Sequence, residues 1–247
     1  MTASFEGLST TDALELLSTG ELQPVGRLTE ASNATLYCTV AGGGAEAGCV
    51  YKPVAGERPL WDFPDGTLAG REMSAFAVSD TLGWDVVPPT VHRDGPFGEG
   101  MVQLWIDGDP SVDLVELSRD TDHPGLRRMA VFDAVINNSD RKIGHLLPMM
   151  SGHLYGCDHG VSFAEDYKLR TVLWQWQGEP LTDEALAGLA LLEERLRDPE
   201  SPVASELRRH LTGPESYAVL RRVELLRHHR VHPYPSPDWP AIPWPPV

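Results

Sequence analysis

The sequence predicts an α+β fold of two lobes: a small antiparallel sheet with one internal helix, then a larger and mainly helical body. Two observations carry this expectation. Up to about Gly108 the apolar residues come in short β-type runs separated by Gly, Pro and Asn. After Leu126 they recur at helical spacing, as in Leu186, Leu189, Leu192 and Leu196. The chain accordingly divides into 1–108, 109–231 and a proline-rich tail, 232–247. A cleft is expected between the lobes.

The first element is a helix over 10–20. Thr11 or Asp12 is placed to cap it, Leu14, Leu16 and Leu17 give it an apolar side, and Gly20 can stop it. Thr35–Val40 and Gly48–Pro53 read as strands joined by Gly42-Gly43-Gly44, a hairpin composition. Residues 58–70 read as a loop, and 71–82 as a helix with Met73, Phe76 and Ala77 near one face. Residues 86–91 and 100–106 are expected to pair around a turn at Asp94-Gly95. A helix over 126–135 leads into Asn137-Asn138-Ser139-Asp140. A short hairpin then carries Leu146-Leu147 and His153–Cys157. Asp183 is placed to cap a helix with Pro199 beyond its end. Another helix covers 214–228, since proline is tolerated in a first turn. The tail holds seven prolines and two tryptophans and is expected to be extended. It packs along the domain surface or docks a protein partner.

An apolar fraction of 41% over 247 residues is enough for a core. No run of about 18 apolar residues occurs, so no transmembrane helix is expected. The N-terminus lacks the basic flank and apolar stretch of a signal peptide. A net charge of -16 argues against nonspecific nucleic-acid binding and against docking on an anionic membrane. Cys38, Cys49 and Cys157 are too few and too irregularly spaced for a disulfide framework or a zinc site, and a reducing cytoplasm fits them best. Gly-x-x-x-x-Gly-Lys-Ser/Thr, Gly-x-Ser-x-Gly and His-Glu-x-x-His are all absent, which argues against a Walker-type site, a serine hydrolase elbow and a zincin.

Asp140 and Asp158 stand eighteen positions apart, each at the end of an apolar run. Asp140 follows Asn and Ser residues that hold turns, where an exposed carboxylate can accept a proton from a hydroxyl. Arg141 is placed either to neutralise a phosphate or to fix the loop. Asp158 begins an Asp-x-Gly triplet. Its carboxylate suits a hard cation such as magnesium, and Gly160 lets the backbone turn close to a ligand. His145, five residues after Asp140, suits a metal or a phosphate oxygen. Lys52, if it faces inward on a small sheet, needs an anion. ATP phosphates would serve, with Glu72 on the next helix as its fixed partner. Glu30–Ala34, which includes Ser32 and Asn33, either lays backbone N–H groups and a hydroxyl on phosphates or is a plain hairpin turn.

This order of parts resembles the phosphatidylinositol 3- and 4-kinase-like branch of the protein-kinase fold. The resemblance rests on Asp140-Arg141-Lys142-Ile143-Gly144-His145 against the family pattern Asp-Arg-x-x-x-Asn, and on Asp158-His159-Gly160 against Asp-x-Gly. It spans about 27–163 and is that of an actinobacterial-type member rather than a true lipid kinase. It implies a two-lobed protein-kinase-like fold that uses ATP and Mg2+, with Mn2+ as an alternative. The γ-phosphate would go to a hydroxyl of a protein or small molecule. Under the resemblance Asp140 is the catalytic-loop aspartate and Asp158 chelates the magnesium on the ATP phosphates. Lys52 contacts the α-phosphate and pairs with Glu72, while Ser32 and Asn33 cover the phosphates. Gln103, Leu104 and Trp105 line the hinge against adenine through backbone hydrogen bonds and apolar contact. His145 stands where the family has a metal-binding asparagine, and imidazole favours softer ions than magnesium. Two alternatives therefore stay open: a nucleotide-binding pseudokinase that acts as a regulatory module, and an AMP transferase on the same fold.

Overall fold

Gly43 and Gly44, with φ of 59° and 85°, make the two-residue turn that the glycine tract anticipates. A turn with both central residues at positive φ matches the twist of an antiparallel pair, and only glycine adopts it freely. It joins β2 (Leu36–Gly42) to β3 (Ala45–Pro53). A computed structural model of the chain describes residues 8–28 and 33–247. In it this hairpin forms the middle of a five-stranded antiparallel sheet, completed by β1 (Glu21–Arg27), β4 (Thr90–Gly95) and β5 (Gly98–Leu104) in the order β1-β2-β3-β5-β4.

Strand alternation sorts the sheet into two faces. Cys38, Val40, Ala47, Cys49, Tyr51, Val102 and Leu104 point to one side. There α1 (Thr10–Thr19) covers them with Ala13, Leu16 and Leu17. Lys52 lies opposite Met101, and Val50 lies opposite both Gln103 and Tyr37, so these residues share the other face. Ser9, not Thr11 or Asp12, caps α1, since its hydroxyl accepts the Asp12 N–H from outside the first turn. β1 shows no alternation because all its residues but Leu22 are exposed along the sheet edge. The second strand pair is shifted from its expected place. Pro88 and Pro89 cannot donate to a ladder, so β4 begins at Thr90, and the turn falls on Pro96-Phe97.

Helix α2 (Leu68–Leu82) starts three residues earlier than expected and ends on Gly83 at φ 65°. Glu57 accepts the Leu68 and Ala69 N–H groups and so anchors its first turn from the loop before it. α2 does not belong to the sheet alone. Ala75, Val78 and Leu82 join a large core with the helices that follow. These are the short α3 (Leu114–Leu117), α4 (Pro124–Ile136), α5 (Asp183–Arg197), α6 (Pro202–His210) and α7 (Gly213–His229). Thr182 rather than Asp183 caps α5. α6 was not expected, although Ser201 as cap and Pro202 in the first turn announce it. Arg71 of α2 bonds Glu215 of α7 at 2.5 Å and the Ser162 carbonyl at 2.6 Å, so the helix is fixed to the helical body by charge as well as by packing. Between α4 and α5 lies the hairpin of β6 (Leu146–Pro148) and β7 (Leu154–Gly156). No helix of the described residues is long and apolar enough to cross a membrane.

Candidate active site

Lys52 joins three elements. From β3 its Nζ donates to Glu72 Oε1 of α2 at 2.8 Å and to Asp158 Oδ1, just after β7, at 2.8 Å. Glu72 is 1% exposed, so its charge would be costly without this partner. Burial pushes the Glu72 carboxyl up, but the Lys52 charge and the His159 side chain outweigh it and hold the group at about 2, and the His159 backbone N–H also donates to it at 3.0 Å. Burial likewise disfavours the ammonium of Lys52, and Asp158 with Glu72 reverses this, raising it above the ordinary lysine value. Asp158 is held below the usual carboxylate range, chiefly by Lys52.

Asp158 is the outward member of the trio, with half of its side chain exposed. Its φ of 61° puts it in the left-handed region, where Asp is one of the few tolerated residues, and turns the chain sharply after β7. Gly160 permits a close approach, but to α2: a Cβ there would stand 3.3 Å from Leu68 Cβ.

Asp140 lies in the loop after α4. The Asn137 cap at φ 54° ends that helix, and Asn138 Oδ1 accepts the Asp140 N–H at 2.9 Å. The Asp140 carboxylate stands 3.1 Å from Lys142 Nζ and is partly exposed. Burial raises its pKa above the ordinary value, Lys142 opposes this, and Asp158 adds to it. A carboxylate so raised is the better proton acceptor.

Arg141 departs from half of its expected role. It is fully buried and has no open face toward a phosphate. Its guanidinium pairs with the equally buried Asp133 of α4 at 2.9 Å, donates to the Cys157 carbonyl at 3.1 Å and meets His159 Nε2 at 2.7 Å. It therefore has the partners of a residue that fixes the loop. Asp133 also accepts from Asn138 Nδ2 and the Thr171 hydroxyl. Because Arg141 donates to His159 Nε2, the imidazole proton sits on Nδ1, 3.6 Å from Glu72 Oε2. A chain of polar contacts thus runs Asp133–Arg141–His159–Glu72–Lys52–Asp158.

His145 Nε2 lies 3.7 Å from Asp158 Oδ2. Burial lowers its pKa to about 4, so the ring is neutral at pH 7. Its Nδ1 accepts the Lys142 N–H at 3.4 Å, which places the ring proton on Nε2, toward Asp158. In this tautomer His145 is a donor to Asp158, and a metal ligand only if the proton moves. Among the described residues no group of three or more His, Cys, Asp or Glu side chains is gathered for a metal. The half-exposed carboxylate of Asp158 nonetheless fits a hard cation that draws its remaining ligands from phosphate and water, the usual arrangement for magnesium, whereas the imidazole of His145 does not.

The hinge expectation is corrected in part. Leu104 turns its side chain into the core under α1, on the face away from Lys52, as strand parity requires. Its N–H goes to Pro89 O at 2.9 Å, and that of Trp105 to Gly48 O at 3.0 Å, so neither is free for adenine. Gln103 is on the Lys52 face, but its amide is buried against Thr90 Oγ1 at 2.9 Å. Trp105 packs edge-on to Tyr37 at 5.0 Å between centroids. Tyr37 and Val50 on the Lys52 face were missed, and register would have found them once Lys52 was taken as inward. Asn33 Oδ1 accepts the Arg58 N–H at 2.9 Å, tying its loop to the segment after β3, and Ser32 lies outside the described residues.

The tail is docked on its own chain. Arg170 donates to the carbonyls of Pro240 and Ile242, Thr171 N–H and Trp174 Nε1 to that of Ala241, and Ile143 N–H to that of Pro246. Ile143 and Arg170 flank the Asp140 loop, since Arg141 N–H in turn donates to Arg170 O. Lys168 closes a clasp between Asp62 at 2.8 Å and the ring of Trp239 at 4.3 Å.

No protein-family model matches the sequence. Protein Rv2133c of Mycobacterium tuberculosis is 45% identical, over 95% of this chain and 95% of its own length. The chain belongs to the Rv2133c family. Among solved structures, its fold is similar to the Golgi casein kinase with Mn/ADP bound, at TM-score 0.59 and 13% identity over 89% of this chain and 75% of that one. A second structure of the Golgi casein kinase gives TM-score 0.55 at 14% identity over the same shares. The Rv2133c-family chain thus has a kinase-type fold, with its five-stranded antiparallel sheet as the smaller part.

Proposed function

We propose that the chain is an atypical kinase that transfers the γ-phosphate of ATP to a hydroxyl group of a protein or small molecule. The observation that carries this reading is Lys52 held at 2.8 Å from both Glu72 and Asp158. The site thereby offers a cation for phosphate oxygens beside a half-exposed carboxylate for a metal. A solved structure of similar fold is described as holding Mn and ADP, which supports a nucleotide and a divalent ion here. The metal, Mg2+ or Mn2+, would be held by Asp158 with His145 beside it and would neutralise charge on the phosphates. Asp140, with its raised pKa, takes the acceptor hydroxyl's proton, and Lys142 steadies it. Arg141 acts as a positioning residue for Asp140. Nearness to the phosphatidylinositol 3- and 4-kinase-like branch rests on the Asp140-Arg141 and Asp158-His159-Gly160 motifs, and a cytoplasmic site of action rests on the sparse cysteines.

The test is incubation of the purified chain with γ- or α-labelled ATP, with Mg2+ or Mn2+ and a panel of hydroxyl acceptors. Label from the γ position alone, lost in Asp158→Ala, is expected. Transfer of α label would instead mean AMP transfer. One observation favours a second reading, a pseudokinase: the His145 proton faces Asp158 where a metal ligand would need a lone pair. Nucleotide binding without any turnover would decide for it.

A further inference from the structure

Far along the helical body, α7 and the segment that leaves it border a cavity of about 450 Å3. That lies within the ~300–1,000 Å3 of ordinary ligand pockets. Its walls are mostly apolar, with Ala134 of α4, Leu225 and Leu226 of α7 and the rings of Tyr167 and Tyr234, while His229 and His232 also line it, the Nε2 of His232 buried without a partner. None of these residues serves the Lys52 site.

One charged side chain, Arg222, also lines the cavity. Its Nε and Nη1 donate to the carbonyls of Val135 at 2.9 Å and Ala164 at 3.1 Å. Its Nη2 is buried and has no partner. Among the described residues no carboxylate comes within 4.0 Å of this guanidinium. The two fully buried arginines, unlike the partly buried Arg222, each have a carboxylate in contact: Arg71 has Glu215 and Arg141 has Asp133. Burial lowers Arg222 to about 10, so it is still cationic at neutral pH. The charge of Glu215 acts on it from beyond ion-pair distance, so Arg222 has no carboxylate in direct contact, and a largely buried cation so placed is unfavourable because carbonyl dipoles offset only part of the cost. The protein supplies the apolar walls and the positive charge, and what complements them is an apolar molecule with one anionic end.

We propose that this cavity binds a carboxylic acid with an apolar tail, the carboxylate on Arg222 and the tail against Leu225, Leu226 and Tyr234. Leu225 is 46% exposed and so stands at the mouth.

Calorimetric titration of the full chain with dodecanoate and with dodecanol, both below micelle formation, tests this. One molecule of dodecanoate should bind per chain, about tenfold or more tighter than the alcohol, the margin expected of a charge-assisted hydrogen bond. Arg222→Gln should erase that preference and Arg222→Lys should keep part of it. Leu225→Trp, at the exposed mouth, should block both ligands without moving the melting temperature, and it decides the matter if the Arg222 variants fold poorly. Equal affinity for acid and alcohol, unaltered binding by Leu225→Trp, or no binding of dodecanoate would each overturn the assignment.

Discussion

Arg141 reaches back eight residues to Asp133, and neither side chain touches solvent. The pair ties the loop of Asp140 to the helix before it. Replacing Arg141 by Met leaves the buried Asp133 carboxylate without its counter-charge, with only Asn138 and Thr171 as donors, and should destabilise the fold by about 3–5 kcal/mol. Chemical denaturation of Arg141→Met, Asp133→Leu and the double variant measures this. The double variant should recover much of the loss, and if it does not, the two residues are not a mutually dependent pair.

Lys52 has the same logic with a functional addition. Lys52→Met should lower ATP turnover by about a hundredfold or more, and should also destabilise the fold through the buried Glu72. Adding Glu72→Gln should restore stability but not turnover. Recovery of both would mean that Lys52 serves structure alone.

Asp140→Asn keeps the shape of the side chain and removes its basicity. Turnover should fall by about 10²–10⁴-fold, while nucleotide affinity, read by fluorescence titration, stays within about twofold. A matching loss of nucleotide affinity would place Asp140 in binding instead.

His145→Asn restores an oxygen ligand in place of an imidazole whose proton faces Asp158. The ratio of Mg2+-supported to Mn2+-supported turnover should rise severalfold, since amide oxygen suits the harder ion. An unchanged ratio would show that residue 145 does not touch the metal.

His232 is buried, and burial with the nearby Arg127 charge lowers it from an ordinary 6.5 to about 4. Its folded pKa lies below its unfolded one, so the folded state binds fewer protons at mildly acid pH. The stability it contributes is complete above about 6.5 and is lost as pH falls toward about 4. Between pH 7 and pH 5 the loss is on the order of 2 kcal/mol. Melting temperatures of His232→Gln across that range should decline less steeply than those of the parent.

The residues legible in the sequence were those whose chemistry is local. Gly43 and Gly44 announced their turn, and Lys52, Glu72 and Asp158, which the fold brings into contact, could be named from their order along the chain, as could Asp140 as a proposal. The choice between the two roles open to Arg141 could not be made from the sequence, because its burial depends on Asp133, an acid hidden in the apolar run Phe132–Ile136. That lone acid was the available signal. Within the hinge assignment Leu104 is corrected by parity: it faces α1 while Gln103 shares the Lys52 face, since a one-residue step along a strand reverses the face. α6 escaped notice because its apolar side is only Val203, Ala204 and Leu207 amid charged neighbours.

The polar chain from Asp133 to Asp158 draws its members from both sides of the 106–109 connection, and α2 is itself packed among the later helices. Severing the polypeptide there would part Lys52 from Asp158, Arg71 from Glu215, and Glu72 from the backbone N–H of His159. Neither piece should persist alone, yet the two should seek each other out when co-expressed. The protein is thus a natural candidate for fragment complementation, with nucleotide turnover as the signal of reunion.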